Sequence, residues 1–387
     1  MTYISVRDAA LKWNLSPRRV QEFCRAGRIA QAQRLGRAWM IPADAKKPAD
    51  PRKARSRPPK PAGGIVAPNC PLKLLTVQYE PGGLDRVTDP DAQVRALMAA
   101  ERALLVGNPA QAQAEAQPLL AMPRADIRMG AMRAYAMAAL YMKTPQIFSE
   151  IARQIGDRCG DHSASPEARA LCALMRSLCG AVLRLPGKVP APAGYAPANR
   201  MVLLYCRAQA AYDAGRYGET EGMAEAALAM AGAPMPILEI YCRMMAAAAC
   251  GGQGRWSAAE AHFARAWALA QPDGIIAPFV ELGGHLCGLV ERLVKISHPA
   301  EHRVLLRLSQ PYRESWIRLY NQHTGSRITD RLTTAQFGVA LLAARGLTND
   351  QIAEVLGISP GNVRNTLTAV FDRLGISSRR AVRHYVI

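Results

Sequence analysis

Asn362, Arg364, Asn365 and Thr368 crowd into the stretch SPGNVRNTLTAVFDRLG, residues 359–375. Amide and guanidinium side chains offer paired hydrogen-bonding groups, and those can read base edges in a major groove. Such reading needs a rigid support, and the same stretch supplies one. Val363, Leu367, Val370, Phe371 and Leu374 recur on one helical face. Ser359 suits an N-cap, Pro360 the first helical position, and Gly375 the stop. The spacing predicts a helix with an apolar back and a small, polar, cationic front.

A second pattern could do different chemistry. His298, Glu301 and His302 form H-x-x-E-H, in which two imidazoles would hold zinc and a carboxylate would act as base. Pro299 places His298 at a helix N-cap, off the helix face, and no convincing third ligand follows. No Ser/His/Asp arrangement stands out, and the phosphate-cradling pattern G-x-x-x-x-G-K-[ST] is missing from the sequence. The nine Cys include no C-x-x-C pair. Cys172 and Cys179, at i and i+7, read as helix core. The expectation is no enzyme, no metal and no cofactor.

The elements before the two-faced helix are sharply punctuated. Thr333/Gln336 and Thr348/Gln351 each make a T-x-x-Q capping box, and Gly346 and Gly357 close the two helices that follow. Residues 332–382 resemble the LuxR/GerE-type helix-turn-helix domain. The likeness is carried by Leu332-Thr333, Gly346-Leu347-Thr348-Asn349, Ile352-Ala353, Leu356-Gly357-Ile358-Ser359, Val363-Arg364 and Leu374-Gly375-Ile376-Ser377-Ser378-Arg379. Two Glu of the family's first helix are replaced by Gln336 and Gly338, and a frequent His by Thr366. The resemblance implies four helices, the third in the major groove and the fourth, residues 378–386, pairing two copies. It implies that Arg364, Asn365 and Thr368, with Asn362, face bases or adjacent phosphates, and that Arg373 faces a phosphate.

The net charge of +19 favours a polyanionic partner, and it is unevenly placed. Residues 1–60 hold 15 Lys/Arg against 4 Asp/Glu. Within them Ser5 starts a helix bearing Val6, Ala9, Ala10 and Trp13. Ser16-Pro17 starts a second helix that buries Val20, Phe23 and Cys24. RLGRAWMIP then turns at Gly36, with Trp39 and Ile41 facing inward. This part resembles the excisionase/MerR-like winged helix-turn-helix family at Ala9, Ser16-Pro17-Arg18-Arg19-Val20, Gly27-Arg28-Ile29 and Gly36 to Pro42. The resemblance implies that Arg18, Arg19 and Gln21 enter a major groove and that Arg34 and Arg37 form a wing on phosphate or minor groove. A basic Pro-rich linker is expected at residues 46–68.

The middle is rich in Ala, Leu, Met and Arg at helical spacing. AGRYGETEGMAEAALAMA, residues 214–231, aligns with QGRWSAAEAHFARAWALA, residues 253–270, and more weakly with residues 106–123. Paired helices at such a period predict a tetratricopeptide-like stack. Residues 271–295 resemble the end of the helical-repeat domain in large LuxR regulators of the maltose-activator type. There the repeats sense an inducer.

The expected fold is mainly α. A winged helix-turn-helix occupies residues 1–45, helical repeats residues 69–326, and a LuxR-type helix-turn-helix residues 327–387. The expected protein is a cytoplasmic, nucleoid-associated transcription regulator that binds double-stranded DNA and works with RNA polymerase. A small molecule or protein would signal through the repeats. No run of 18 uncharged apolar residues predicts a membrane span. A repeat scaffold for protein binding and a recombination accessory factor are the competing readings.

Overall fold

The computed structural model describes residues 3–13, 16–29, 31–36, 38–43, 45, 69–159, 165–184, 189–231, 233–286, 289–324, 332–344 and 346–382. The chain divides into two compact units, Met1–Pro61 and Ala62–Ile387. The expected linker, residues 46–68, lies outside the described residues.

The first unit holds β1 (Tyr3–Ser5), α1 (Val6–Trp13), α2 (Pro17–Arg25), β2 (Gln33–Leu35) and β3 (Ala38–Pro42). β3 is the central strand of an antiparallel sheet, pairing Ile4 with Ile41 on one side and Arg34 with Trp39 on the other. Ser5 caps α1: its Oγ accepts from the Asp8 N–H at 3.2 Å, and its own N–H donates to the Asp8 carboxylate. Ala9, Ala10, Trp13, Val20, Phe23, Cys24, Ile29 and Ile41 make the core. Of the two hairpin residues expected to face inward, Ile41 is fully buried and Trp39 half-buried.

The regular secondary structure among the second unit's described residues is all helical. Its first part comprises α3 (Ala92–Leu105), α4 (Pro109–Ala116), α5 (Ala125–Tyr141), α6 (Pro145–Cys159) and α7 (Pro166–Leu183). Next come α8 (Pro197–Asp213), α9 (Tyr217–Ala229), α10 (Pro236–Gly252), α11 (Trp256–Ala270) and the short α12 (Ala277–Glu281). α13 (Leu289–Ser297) and the long α14 (Pro299–Thr324) lead to α15 (Thr334–Ala344), α16 (Asn349–Leu356) and α17 (Pro360–Leu374). α5 and α10 are apolar nearly all round and sit at the centre of the core. Among the described residues no helix is long and apolar enough to cross a membrane.

Three helix pairs, α3/α4, α8/α9 and α10/α11, share one turn. Gly107, Gly215 and Gly254 all take a left-handed φ, +79°, +73° and +74°. In each, the next residue's N–H bonds back to a carbonyl five positions earlier: Asn108 to Ala103, Arg216 to Ala211, Arg255 to Cys250, all at 2.8 Å. The three sequence copies therefore build the same local structure. Gly130 serves a different need. A Cβ there would lie 2.2 Å from the Pro71 carbonyl, so only glycine lets residues 70–74 lie on α5. α14 packs against α5, α6 and α7, and the Trp316 indole donates to the Val182 carbonyl at 2.6 Å.

Candidate nucleic-acid interface

The C-terminal face is assembled by its caps. Thr348 and Gln351 bond reciprocally at the start of α16, and Thr333 and Gln336 do the same before α15. Gly357, with φ +63°, ends α16. Ser359 Oγ then accepts from the Asn362 N–H at 3.2 Å and opens α17. Gly375, with φ +68°, stops it. Val363, Leu367, Val370 and Leu374 of α17 are buried, and Phe371 is half-buried. They pack on Val339, Ala340, Leu342, Ala343, Ile352 and Val382.

With that back buried, the front is left in solvent. Asn362, Arg364, Asn365, Thr368 and Arg373 are all exposed. They share one helix, so the structure brings the expected C-terminal residues together. Thr368 Oγ1 donates to the Arg364 carbonyl at 3.1 Å, which leaves the hydroxyl free only as an acceptor. The helix N-terminus adds a positive dipole end, suited to a phosphate.

Sequence reasoning missed the fasteners. Arg379, in a short turn at Arg379–Val382, donates to Asn349 Oδ1 at 2.7 Å and to the Leu347 carbonyl. It ties the tail to the start of α16, and burial lowers the pKa of its guanidinium. Trp256, from the start of α11, packs on the α15–α17 core, and Arg313 of α14 lies 5.4 Å over the Phe337 ring. Contacts between α13 and α16 complete the seat. Trp256 sits inside the repeat alignment, and nothing there separates a docking indole from a core one. The helix expected at residues 378–386 is described only as far as that turn; residues 383–387 lie outside the described residues.

In the first unit Arg18, Gln21 and Arg34 are exposed, and Arg18 pairs with Glu22 at 3.8 Å. The Arg19 side chain and Arg37 lie outside the described residues. Arg28 stacks over Phe23 at 4.8 Å, a contact the sequence did not announce.

The helical middle holds a buried polar cluster. Glu281, at the end of α12, accepts from the Tyr241 hydroxyl at 2.8 Å and the Tyr141 hydroxyl at 3.4 Å. Tyr205 meets Tyr241 edge-on at 5.5 Å, and Tyr312 lies 5.0 Å from Tyr141. Burial pushes the Glu281 carboxyl upward, against the opposing pull of Arg133 and the two tyrosine hydroxyls. The H-x-x-E-H residues do not form a comparable group. His298 precedes α14 and touches the Trp267 ring, whereas His302 is buried on the helix.

No curated protein and no solved structure matches the chain. The match is to a family model and covers the C-terminal part alone: residues 330–386, including the whole of α15–α17, match the family described as bacterial regulatory proteins, luxR family, a family of DNA-binding transcription regulators.

Proposed function

We propose that the chain is a sequence-specific transcription regulator that reads double-stranded DNA with α17. The observation that carries this is the division of α17 into a buried apolar back and an exposed front of Asn362, Arg364, Asn365, Thr368 and Arg373. In this reading Arg364 and Asn365 hydrogen-bond to base edges, Asn362 and Thr368 lie beside them, and Arg373 holds a phosphate. Arg18, Arg19 and Gln21 of α2, with Arg34 and Arg37 of the hairpin, make a second contact with the same or a neighbouring DNA site. The +11 balance of residues 1–60 supports it.

The helical pairs form the tetratricopeptide-like sensing part. A signal held near the Glu281–Arg133–tyrosine cluster acts on the α15–α17 module through its seat on Trp256 and Arg313. Pairing of two chains through the last residues, and contact with RNA polymerase, belong to the same proposal. Genome-wide occupancy of the intact chain beside an Arg364→Ala/Asn365→Ala variant tests it. Promoter-proximal peaks that vanish in the variant support reading by α17. Peaks that persist transfer the reading to the first unit, and loss of occupancy in neither protein's favour, with no peaks in either under any growth condition, overturns it.

A further inference from the structure

The second and third shared hairpins meet at a group of side chains that the DNA reading leaves unused. Glu221 of α9, Cys250 of α10 and His262 of α11 each present one donor atom, and the three atoms lie within 4.8 Å of one another. We propose that these residues bind a zinc ion. Thiolate, imidazole and carboxylate together suit zinc better than the hard cations, which take oxygen alone. In a tetrahedral zinc site neighbouring donor atoms stand about 3.5 Å apart, given metal–ligand bonds of about 2.0–2.3 Å. Cys250 Sγ and Glu221 Oε1 are already 3.6 Å apart.

The surroundings fit an ion in that place. Arg255 binds the other carboxylate oxygen, Oε2, and can keep it while Oε1 ligates. Arg243 Nη1 lies 3.4 Å from His262 Nδ1 and is the group that must give way; Glu239 already holds its Nε at 3.3 Å. Cys250 is fully buried, whereas Glu221 and His262 are half-buried, so the ion has a way in from the surface. On binding, the Cys250 thiol proton passes to water. A water molecule, or Glu225 one turn after Glu221, takes the fourth position.

The repeat itself supplies a control. Cys250 and Arg255 occupy the turn positions that Ala211 and Arg216 occupy in the preceding hairpin. In the aligned stretches His262 corresponds to Met223. The scaffold therefore builds the same hairpin with alanine and methionine where this one carries a thiol and an imidazole. Folding of the pair does not account for the donors.

The test uses the full chain, loaded with zinc and desalted, with metal counted by mass spectrometry. One zinc per chain is expected for the native protein. Cys250→Ala and His262→Ala should each lose it while keeping the native circular dichroism. Cobalt(II) in place of zinc should give a thiolate charge-transfer band that Cys250→Ser abolishes. No retained zinc in the native chain overturns the proposal. So does zinc that survives both substitutions, or zinc lost on His298→Ala or His302→Ala instead.

Discussion

Lys73 Nζ lies 2.7 Å from Asp126 Oδ2, and the two side chains are only 1% and 5% exposed. Arg124 holds the same carboxylate from its other side, at 2.8 Å. Next to this pair, Glu101 accepts from the Lys73 and Leu74 N–H groups at 3.1 and 2.7 Å. Two buried carboxylates thus fasten residues 70–74 onto α3 and α5. A buried pair gains little over a well-packed apolar substitute, but losing one partner strands a charge. Asp126 keeps Arg124 if Lys73 is lost, whereas Asp126→Leu takes away the carboxylate that the buried Lys73 Nζ contacts, and should therefore destabilise the chain by about 3–5 kcal/mol in denaturant unfolding. Lys73→Met with Asp126→Leu should recover part of that loss, because the stranded charge is gone.

Burial raises the Glu101 carboxyl to about 7, from an ordinary value near 4.5, against the pull of its N–H donors and of Arg133. A carboxyl raised in the fold holds its proton more tightly there than in the unfolded chain. Its contribution to stability is thus greatest below pH 4.5, declines as pH rises toward 7, and is level above that. Asp126 runs the other way. Burial opposes its ionisation, but hydrogen bonds from Arg124 and Lys73 hold it below its ordinary value. Its contribution is present at neutral pH and lost as pH falls through the folded value. Unfolding midpoints between pH 4.5 and 7 should lose the declining component in Glu101→Gln.

Substitutions on the exposed side of α17 should separate reading from holding. Arg364→Ala and Asn365→Ala should each lower affinity for the best-occupied sequence by about 1–3 kcal/mol and relax preference at a base position. Arg373→Ala should weaken binding to all sequences alike and flatten its dependence on salt. Melting temperature should stay near the native value in all three, since these side chains are exposed.

Ser359→Ala removes the oxygen that receives the Asn362 N–H and should cost about 1 kcal/mol. Because this bond also sets where α17 begins, DNA affinity should fall with stability. Ser359→Asp, which restores a cap, should recover the stability.

Trp256→Ala should loosen the seat of α15–α17 by uncovering one side of their core, at a cost of about 1–2 kcal/mol. Hydrogen exchange should then speed up in α15–α17 relative to the native chain, with α8–α10 little changed.

Local signals in the sequence are legible where one residue dictates one bond. Thr348, Ser359, Gly357 and Gly375 begin and end helices where expected, because caps and left-handed turns depend on near neighbours. The offset between the 214–231 and 253–270 copies became the same turn for the same reason. Long-range pairings were silent. Nothing near Lys73 names Asp126, 53 positions away, and nothing near Cys250 names His262 and Glu221 as neighbours across three helices. The H-x-x-E-H pattern is compact in the sequence, yet its residues do not gather. The cluster that gathers three donors has no linear signature, since helix packing alone assembles it.

The Trp256 and Arg313 seat also decides how the α15–α17 end behaves when cut away from its neighbours. Phe337, Leu356 and Phe371 are half-buried against the small core that Trp256 helps to cover. A fragment beginning near residue 330 would carry part of that apolar surface bare into solution. Its solubility, before its affinity, would register the loss, and a polar replacement of Phe337 would be the first remedy to try.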